Sequence, residues 1–344
     1  MVTLDRIKIL TDKKHIKRMD SDVTTKILRS NIGTAIRYSQ KMPFNIYMNY
    51  SLQDNRCVIE LSSKVLLDRY PELININNIQ QCFENINRIG FCEMEVDGII
   101  HNSELLTCDV TSDISGIVQP DRLAMKSCLV NHNKFRVQKY GNSGYTINKM
   151  VKTRNRQIRI IIYDKGKELR KKNNTEYLGM LTDADSMLTY FDGKFRMEAN
   201  INTKEQIRQL FQTKSTDLLD VLKSEANPLL TIFDEVFAFP EEPEHQNQVM
   251  PSPLSFPKLR MVKNALLLAA CEYDMEKVDL VLNNTLSPHT DKSKYRTELN
   301  KLLNSYPLPN KNIALMKKIR EEIAKSATTE ITTRQNINSR NREK

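Results

Sequence analysis

The 344-residue chain lacks any long apolar run: Ala265–Cys271, the longest clear one, is far short of the roughly 20 residues a membrane-spanning helix requires. An apolar signal core is also missing from the opening MVTLDRIKILTDKK, so a cytoplasmic location and no membrane partner are expected. Six cysteines, Cys57, Cys82, Cys92, Cys108, Cys128 and Cys271, are scattered without a CxxC pair. That spacing indicates neither a zinc knot nor a disulfide scaffold, and the thiols read as buried ones of a reducing compartment. The five histidines never recur as HxH or HxxxH, so a paired-histidine metal site is excluded and any metal would have to sit on carboxylates. With 40% hydrophobic and 27% charged residues, the chain is neither wholly disordered nor collagen-like.

What is present in excess is positive charge. Lys and Arg number 52 against 42 Asp and Glu, a net charge of +10 with a pI near 9.2. Such a balance favours a polyanionic partner, nucleic acid first, although a solvated basic face gives the same sum.

The length predicts about two domains. No clear period is visible before residue 40, after which Phe44–Tyr50 and Arg56–Leu61 read as a hairpin around Asp54-Asn55. Ile76, Ile79, Phe83, Ile86 and Ile89 follow helical spacing, with Gly90 as the stop. Strands are expected at Phe91–Val96 and Leu105–Ile114, joined across Asp97-Gly98, then a helix over Asp121–Asn131. Phe135–Tyr140, Tyr145–Val151 and Gln157–Tyr163 read as a meander, and Phe195–Ile201 as a strand running into a helix started by Thr203 and Gln206 in capping-box spacing. The fold class is α+β, a mostly antiparallel sheet with helices on one face, followed by a helical C-terminal region. The expected division is an α+β domain over 1–212, a helix and Pro-rich linker over 213–257, a helical domain over 258–326 and a disordered tail over 327–344.

Strand parity is the most informative feature. In Leu105–Ile114, Leu106, Cys108, Val110 and Ile114 share one face and Thr107, Asp109, Thr111 and Asp113 the other. Arg196, Glu198 and Asn200 back onto Phe195, Met197, Ala199 and Ile201; Ile158, Ile160 and Ile162 leave Gln157, Arg159, Ile161 and Tyr163 on the reverse. If these strands share a sheet with polar faces aligned, Asp109, Glu198 and Tyr163 converge, and their oxygens suit Mg2+ or Mn2+. A half-exposed sheet showing charges to water has the same parity. Between Lys149 and Lys172, ten basic residues face only Asp164 and Glu168. Lys152, Arg154, Arg156, Lys167, Arg170, Lys171 and Lys172 in that run are the candidate DNA-phosphate contacts.

The blocks LLTCDVTSDI (105–114), NRQIRIIIYDKGKELRKK (155–172) and KFRMEANI (194–201), preceded by CVIELSSKVL (57–66), resemble rolling-circle replication initiators, in particular the gene II replication protein of filamentous phages and related phage and plasmid proteins. The resemblance implies that Tyr163 is the nicking nucleophile and that Asp109, Glu198 and Glu168 occupy the family's acidic positions, assigned to metal binding. Cys108 stands where these proteins often carry arginine. It implies attack on a phosphodiester to give a 5′-phosphotyrosyl link and a free 3′ hydroxyl in a bacterial host cell, with an origin DNA and the host helicase and polymerase as partners; a homodimer stays open. Lys165 and Arg159 would help to stabilise the phenolate. Tyr145 and Tyr190 are the reserve nucleophiles, whereas Asp113 and His101 read as surface groups and His132 as a turn residue. Two rivals stand beside this expectation: a non-catalytic origin-binding initiator, in which Tyr163 merely packs at a strand end, and a mobilisation relaxase sharing the chemistry.

Overall fold

Alternating apolar and polar residues build ten of the chain's strands into one antiparallel sheet. The computed structural model describes residues 2–19, 24–30, 33–40, 43–115, 134–141, 144–151, 153, 157–237, 259–271, 275–305 and 315–325. Its strands are β1 Leu4–Asp12, β2 Ile16–Met19, β3 Thr24–Ser30, β4 Gly33–Gln40, β5 Ile46–Ser51, β6 Arg56–Ser62, β7 Cys92–Met94, β8 Glu104–Ile114, β9 Phe135–Tyr140, β10 Gly144–Lys149, β11 Arg159–Asp164 and β12 Phe195–Ile201. The large sheet runs β3-β4-β5-β6-β1-β8-β12-β11-β10-β9, and β2 pairs with β7 apart from it.

The α+β class and its mostly antiparallel sheet are as expected. The β5–β6 hairpin forms around Asp54, whose side chain accepts the Arg56 N–H at 3.0 Å. The segment before residue 40, which carries no clear period, supplies four strands. One of them, β1, lies near the middle of the sheet between β6 and β8.

The helices are α1 Ile79–Arg88, α2 Val96–Asn102, α3 Lys165–Leu169, α4 Thr175–Gly179, α5 Ala184–Tyr190, α6 Lys204–Phe211, α7 Leu218–Leu222, α8 Pro228–Val236, α9 Leu259–Ala270, α10 Met275–Thr285, α11 Lys292–Ser305 and α12 over 315–325. In α1, Ile79, Cys82, Phe83 and Ile86 are buried, and Gly90 beyond its end takes φ +78°, a conformation glycine adopts without a Cβ clash. The capping box of α6 forms: Thr203 Oγ1 accepts the Gln206 N–H at 3.3 Å, and Gln206 Oε1 reaches back to the Asn202 N–H at 3.1 Å.

Two expectations need correction. Asp97-Gly98 is not a hairpin turn; it lies inside α2, and β7 pairs with β2 instead of β8. Nor does the α+β core stop at 212. Leu218, Val221, Leu222, Leu229, Ile232, Phe233 and Val236 of α7 and α8 are buried in it, as are Met316, Ile319 and Ile323 of α12. Arg320 of α12 forks onto both oxygens of Asp234 at 2.7 Å. Helices α9 to α11 pack around a separate cluster of Leu268, Cys271, Val278, Leu282, Leu299 and Leu302. The expected helix over Asp121–Asn131, the Pro-rich linker and the tail lie outside the described residues.

Candidate active site on the polar sheet face

The strand registers set Tyr163 opposite Arg196 opposite Asp113, Ile161 opposite Glu198 opposite Thr111, and Arg159 opposite Asn200 opposite Asp109. Directly paired residues point the same way, so Asp109, Glu198 and Tyr163 share one face of three adjacent strands. Phe195, Met197, Ala199 and Ile201 are buried on the other. Cys108 is buried and paired with Ile7 and Ile201, off the Asp109 face altogether.

At the end of β11 the Asp164 carboxylate accepts the Lys167 N–H at 2.9 Å and so caps the single turn of α3. That turn folds Lys165 back beside Tyr163 and sets Glu168, three residues on, against it. Tyr163 Oη donates to Glu198 Oε1 at 2.5 Å. Lys165 Nζ lies 3.4 Å from the same phenolic oxygen and donates to Glu168 Oε2 at 2.8 Å. Asn174 donates to Glu168 Oε1 at 3.2 Å and accepts from Lys64 Nζ at 2.7 Å, drawing the 57–66 block into the site. Lys64 is carried by a 3-10 stretch, Ser63–Glu72, that kinks at Leu67 with φ +54°; the Leu67 carbonyl accepts the Tyr177 hydroxyl at 3.2 Å. Across from Tyr163, Gly144 leaves room for the ring's root: a Cβ there would lie 2.8 Å from Tyr163 Cβ and 2.5 Å from the Ile162 carbonyl oxygen.

Beneath these groups sits Arg196, with no exposed surface. Its guanidinium forks onto both Asp113 oxygens at 2.7 Å and donates to Asp5 Oδ1 at 2.8 Å and Tyr70 Oη at 2.7 Å. Three cations, Arg196, Lys165 and Lys64, thus face three carboxylates, Asp5, Asp113 and Glu168, and Glu198 is the fourth acid, without a cation of its own. Burial together with the nearby Asp5 charge pushes Glu198 up to about 7. Burial and the Glu198 charge lift the Tyr163 phenol well above 10. Burial also opposes ionisation of Asp5 and Glu168, yet Arg196 with Lys165 holds the first, and Lys165 with Lys64 the second, below the usual carboxylate range.

Several expected site residues are placed differently. Asp113 is not a surface group; its side chain is 6% exposed and is the principal partner of Arg196. Asp109 is held by Arg6 at 2.9 and 3.3 Å and by Asn200 at 2.5 Å, and burial, only partly offset by Arg6, raises its pKa. With Asp109 on Arg6, Glu168 on Lys165 and Glu198 on Tyr163, the three carboxylates do not make a ligand set for Mg2+ or Mn2+ as arranged. Among the described residues no cluster of three or more His, Cys, Asp or Glu could hold a metal. Arg159 is exposed at the far end of β11, four residues and about 13 Å from Tyr163. Lys167 pairs with Asp164 at 3.6 Å, Arg170 with Asp192 at 3.5 Å, and Lys171 and Lys172 are exposed. Lys152, Arg154, Arg156 and His132 lie outside the described residues. Of the reserve nucleophiles, Tyr145 is buried and pairs with Ile162 on the opposite face, and Tyr190 lies under Lys194 Nζ at 3.2 Å. The tyrosine that does reach the site is Tyr140, 41% exposed, its ring 5.9 Å from that of Tyr163.

The chain matches no family model, no curated protein and no solved structure.

A measurable consequence follows from Glu198. Its folded-state pKa, about 7, lies above the ordinary 4.5, so folding favours the protonated acid. The stabilisation this gives is complete below about pH 4.5 and is lost as pH rises through 7. Glu198→Gln should remove that slope. Relative to the variant, the wild type is expected to lose on the order of 3 kcal/mol between pH 4.5 and 8, read from urea midpoints. Parallel profiles would show that Glu198 is ionised throughout.

Proposed function

We propose that this protein nicks and rejoins one DNA strand, as rolling-circle replication initiators do, with Tyr163 as the nucleophile. The observation that carries the reading is the 2.5 Å hydrogen bond from Tyr163 Oη to Glu198, with Lys165 Nζ 3.4 Å from the same oxygen. A phenol is a weak nucleophile at neutral pH, and burial makes its ionisation harder still. Glu198, near half-ionisation at pH 7, accepts the proton as Oη attacks phosphorus, and the Lys165 ammonium balances the charge that develops on phenolic and phosphoryl oxygens. The Oη–P bond forms, the P–O3′ bond breaks, and the departing oxygen takes up a proton. The products are a 5′-phosphotyrosyl strand and a free 3′ hydroxyl. Because the new linkage is a phosphodiester like the old one, that hydroxyl can reverse the attack and reseal the strand.

The test is incubation with supercoiled plasmid carrying the protein's own gene region, with magnesium, with manganese and with chelator, followed by denaturing electrophoresis. Protein attached to a 5′ end is expected; intact plasmid in every condition would overturn the reading. One observation favours a non-catalytic DNA-binding initiator: Tyr163 is only 8% exposed, its hydroxyl already held. In that case plasmid is retained but never cut.

A further inference from the structure

The polar face does not end at the tyrosine. On the edge strand β9, Arg136, Gln138 and Tyr140 point to the same side as Tyr163, because β9 opposes β10 at Arg136–Asn148, Gln138–Thr146 and Tyr140–Gly144. In the first of these rows, Asn200, Arg159, Asn148 and Arg136 stand directly opposite one another across β12, β11, β10 and β9. Spanning four strands, the row is about 14 Å long. Arg6 and Asp109 continue it on β1 and β8 but neutralise each other. Arg159 and Arg136 are exposed and, among the described residues, neither makes an ion pair, whereas Arg6, Lys8 and Lys165 on the same face do.

We propose that the β9–β11 end of this face is a track for single-stranded polynucleotide. Arg136 and Arg159 hold backbone phosphates there, and the Tyr140 ring receives a base next to Tyr163. The direction of the strand toward Tyr163 and the preference for a single strand over a duplex rest on the nicking reading; the polynucleotide track itself does not. Charge selects a polyanion. The ring of Tyr140, exposed on the same face four residues and about 13 Å from Arg136, adds the stacking surface that a nucleic acid uses and an acidic peptide does not. A nucleophile recessed to 8% exposure selects a flexible single strand, whose backbone can bend down to the sheet, over a stiff duplex.

The experiment uses the full chain and a fluorescein-labelled 20-nucleotide oligonucleotide, with anisotropy read over a series of salt concentrations. Arg136→Ala combined with Arg159→Ala should weaken binding at least about tenfold near 0.1 M salt. It should also flatten the plot of log affinity against log salt by about 1.4, twice the single-strand slope of about 0.7 per phosphate. Tyr140→Leu should weaken binding about tenfold and leave the slope alone. Lys214→Ala with Lys223→Ala, the same charge change at exposed sites beside α7, should do neither. An unchanged slope in the arginine double variant, tighter binding of the matching duplex, or equal competition by polyglutamate would overturn the track. An unchanged slope with 5′ attachment intact removes the track alone. Flattened binding with no plasmid cleavage removes the nicking reading alone.

Discussion

Tyr163→Phe should lower nicking by about three orders of magnitude or more while the protein still folds and binds DNA. The variant loses one oxygen. Its described cost to the fold is the hydrogen bond to Glu198, about 1 kcal/mol because Glu198 can answer the loss by staying protonated, and the longer one from Lys165. The same coupling sets the pH dependence in the wild type. In the proposed reaction Glu198 must be ionised to take the phenolic proton, so kcat/KM should rise with pH along a limb centred near 7, the range over which Glu198 costs the fold stability. Activity and stability thus move in opposite directions across one titration, and Glu198→Gln should flatten both. A Tyr163→Phe protein that still attaches to a 5′ end at near wild-type rate would exclude Tyr163 as nucleophile. Tyr140 would then be the next phenol to remove, since it is exposed, lies against Tyr163 and feels the Glu198 charge.

The part of this arrangement that is local in the chain was legible in the sequence. Period-two alternation gives β8, β11 and β12, and parity puts Asp109, Glu198 and Tyr163 on one face if the three strands share a sheet with polar faces aligned, an alignment the registers supply. What parity cannot report is which opposite charge lies across a strand boundary. Asp109 reads as a free ligand until β1 brings Arg6 beside it, and β1 is illegible because an extra residue, Asp5, between the Leu4 and Arg6 pairings with β8 interrupts its alternation. Asp113 reads as a surface acid until Arg196 is recognised as its pair, 83 residues on. Arg196 itself stood in the polar set with Glu198, and its burial had no local signal: the residues that cover it, Tyr70 and Phe191, come from a kinked 3-10 stretch and the loop after α5. Tyr140 carries no signal in the sequence, because its place beside Tyr163 depends on the β9–β10 register, which ends at Gly144.

Arg196 carries the largest expected effect on stability. Arg196→Met fills most of the same space but leaves Asp5 and Asp113 facing each other's surroundings with no cation between them, and breaking a buried ion pair from one side costs about 3–5 kcal/mol. Against a total stability of about 5–15 kcal/mol, that is enough to unfold a marginal protein at 37 °C. Arg196→Lys keeps the charge without the fork onto Asp113 and should fall between the two. The deficit has a defined pH dependence. Asp5 has a folded pKa below its ordinary 3.8, so its contribution is present above that value and is lost as pH falls through the folded pKa. Wild type and Arg196→Met should therefore differ most at neutral pH and converge in acid, read from urea midpoints at pH 7 and pH 3. A loss below about 1 kcal/mol at neutral pH would mean that water reaches the two carboxylates. On the proposed nicking reading, Arg196 also bears on the chemistry without touching substrate. Its charge favours the ionised Glu198, so in Arg196→Met, assayed at a temperature at which it still folds, the acid limb of nicking should move above pH 7, whereas Arg196→Lys, which keeps the charge, should leave it near 7. A merely structural arginine would lower the melting point and leave that limb where it is.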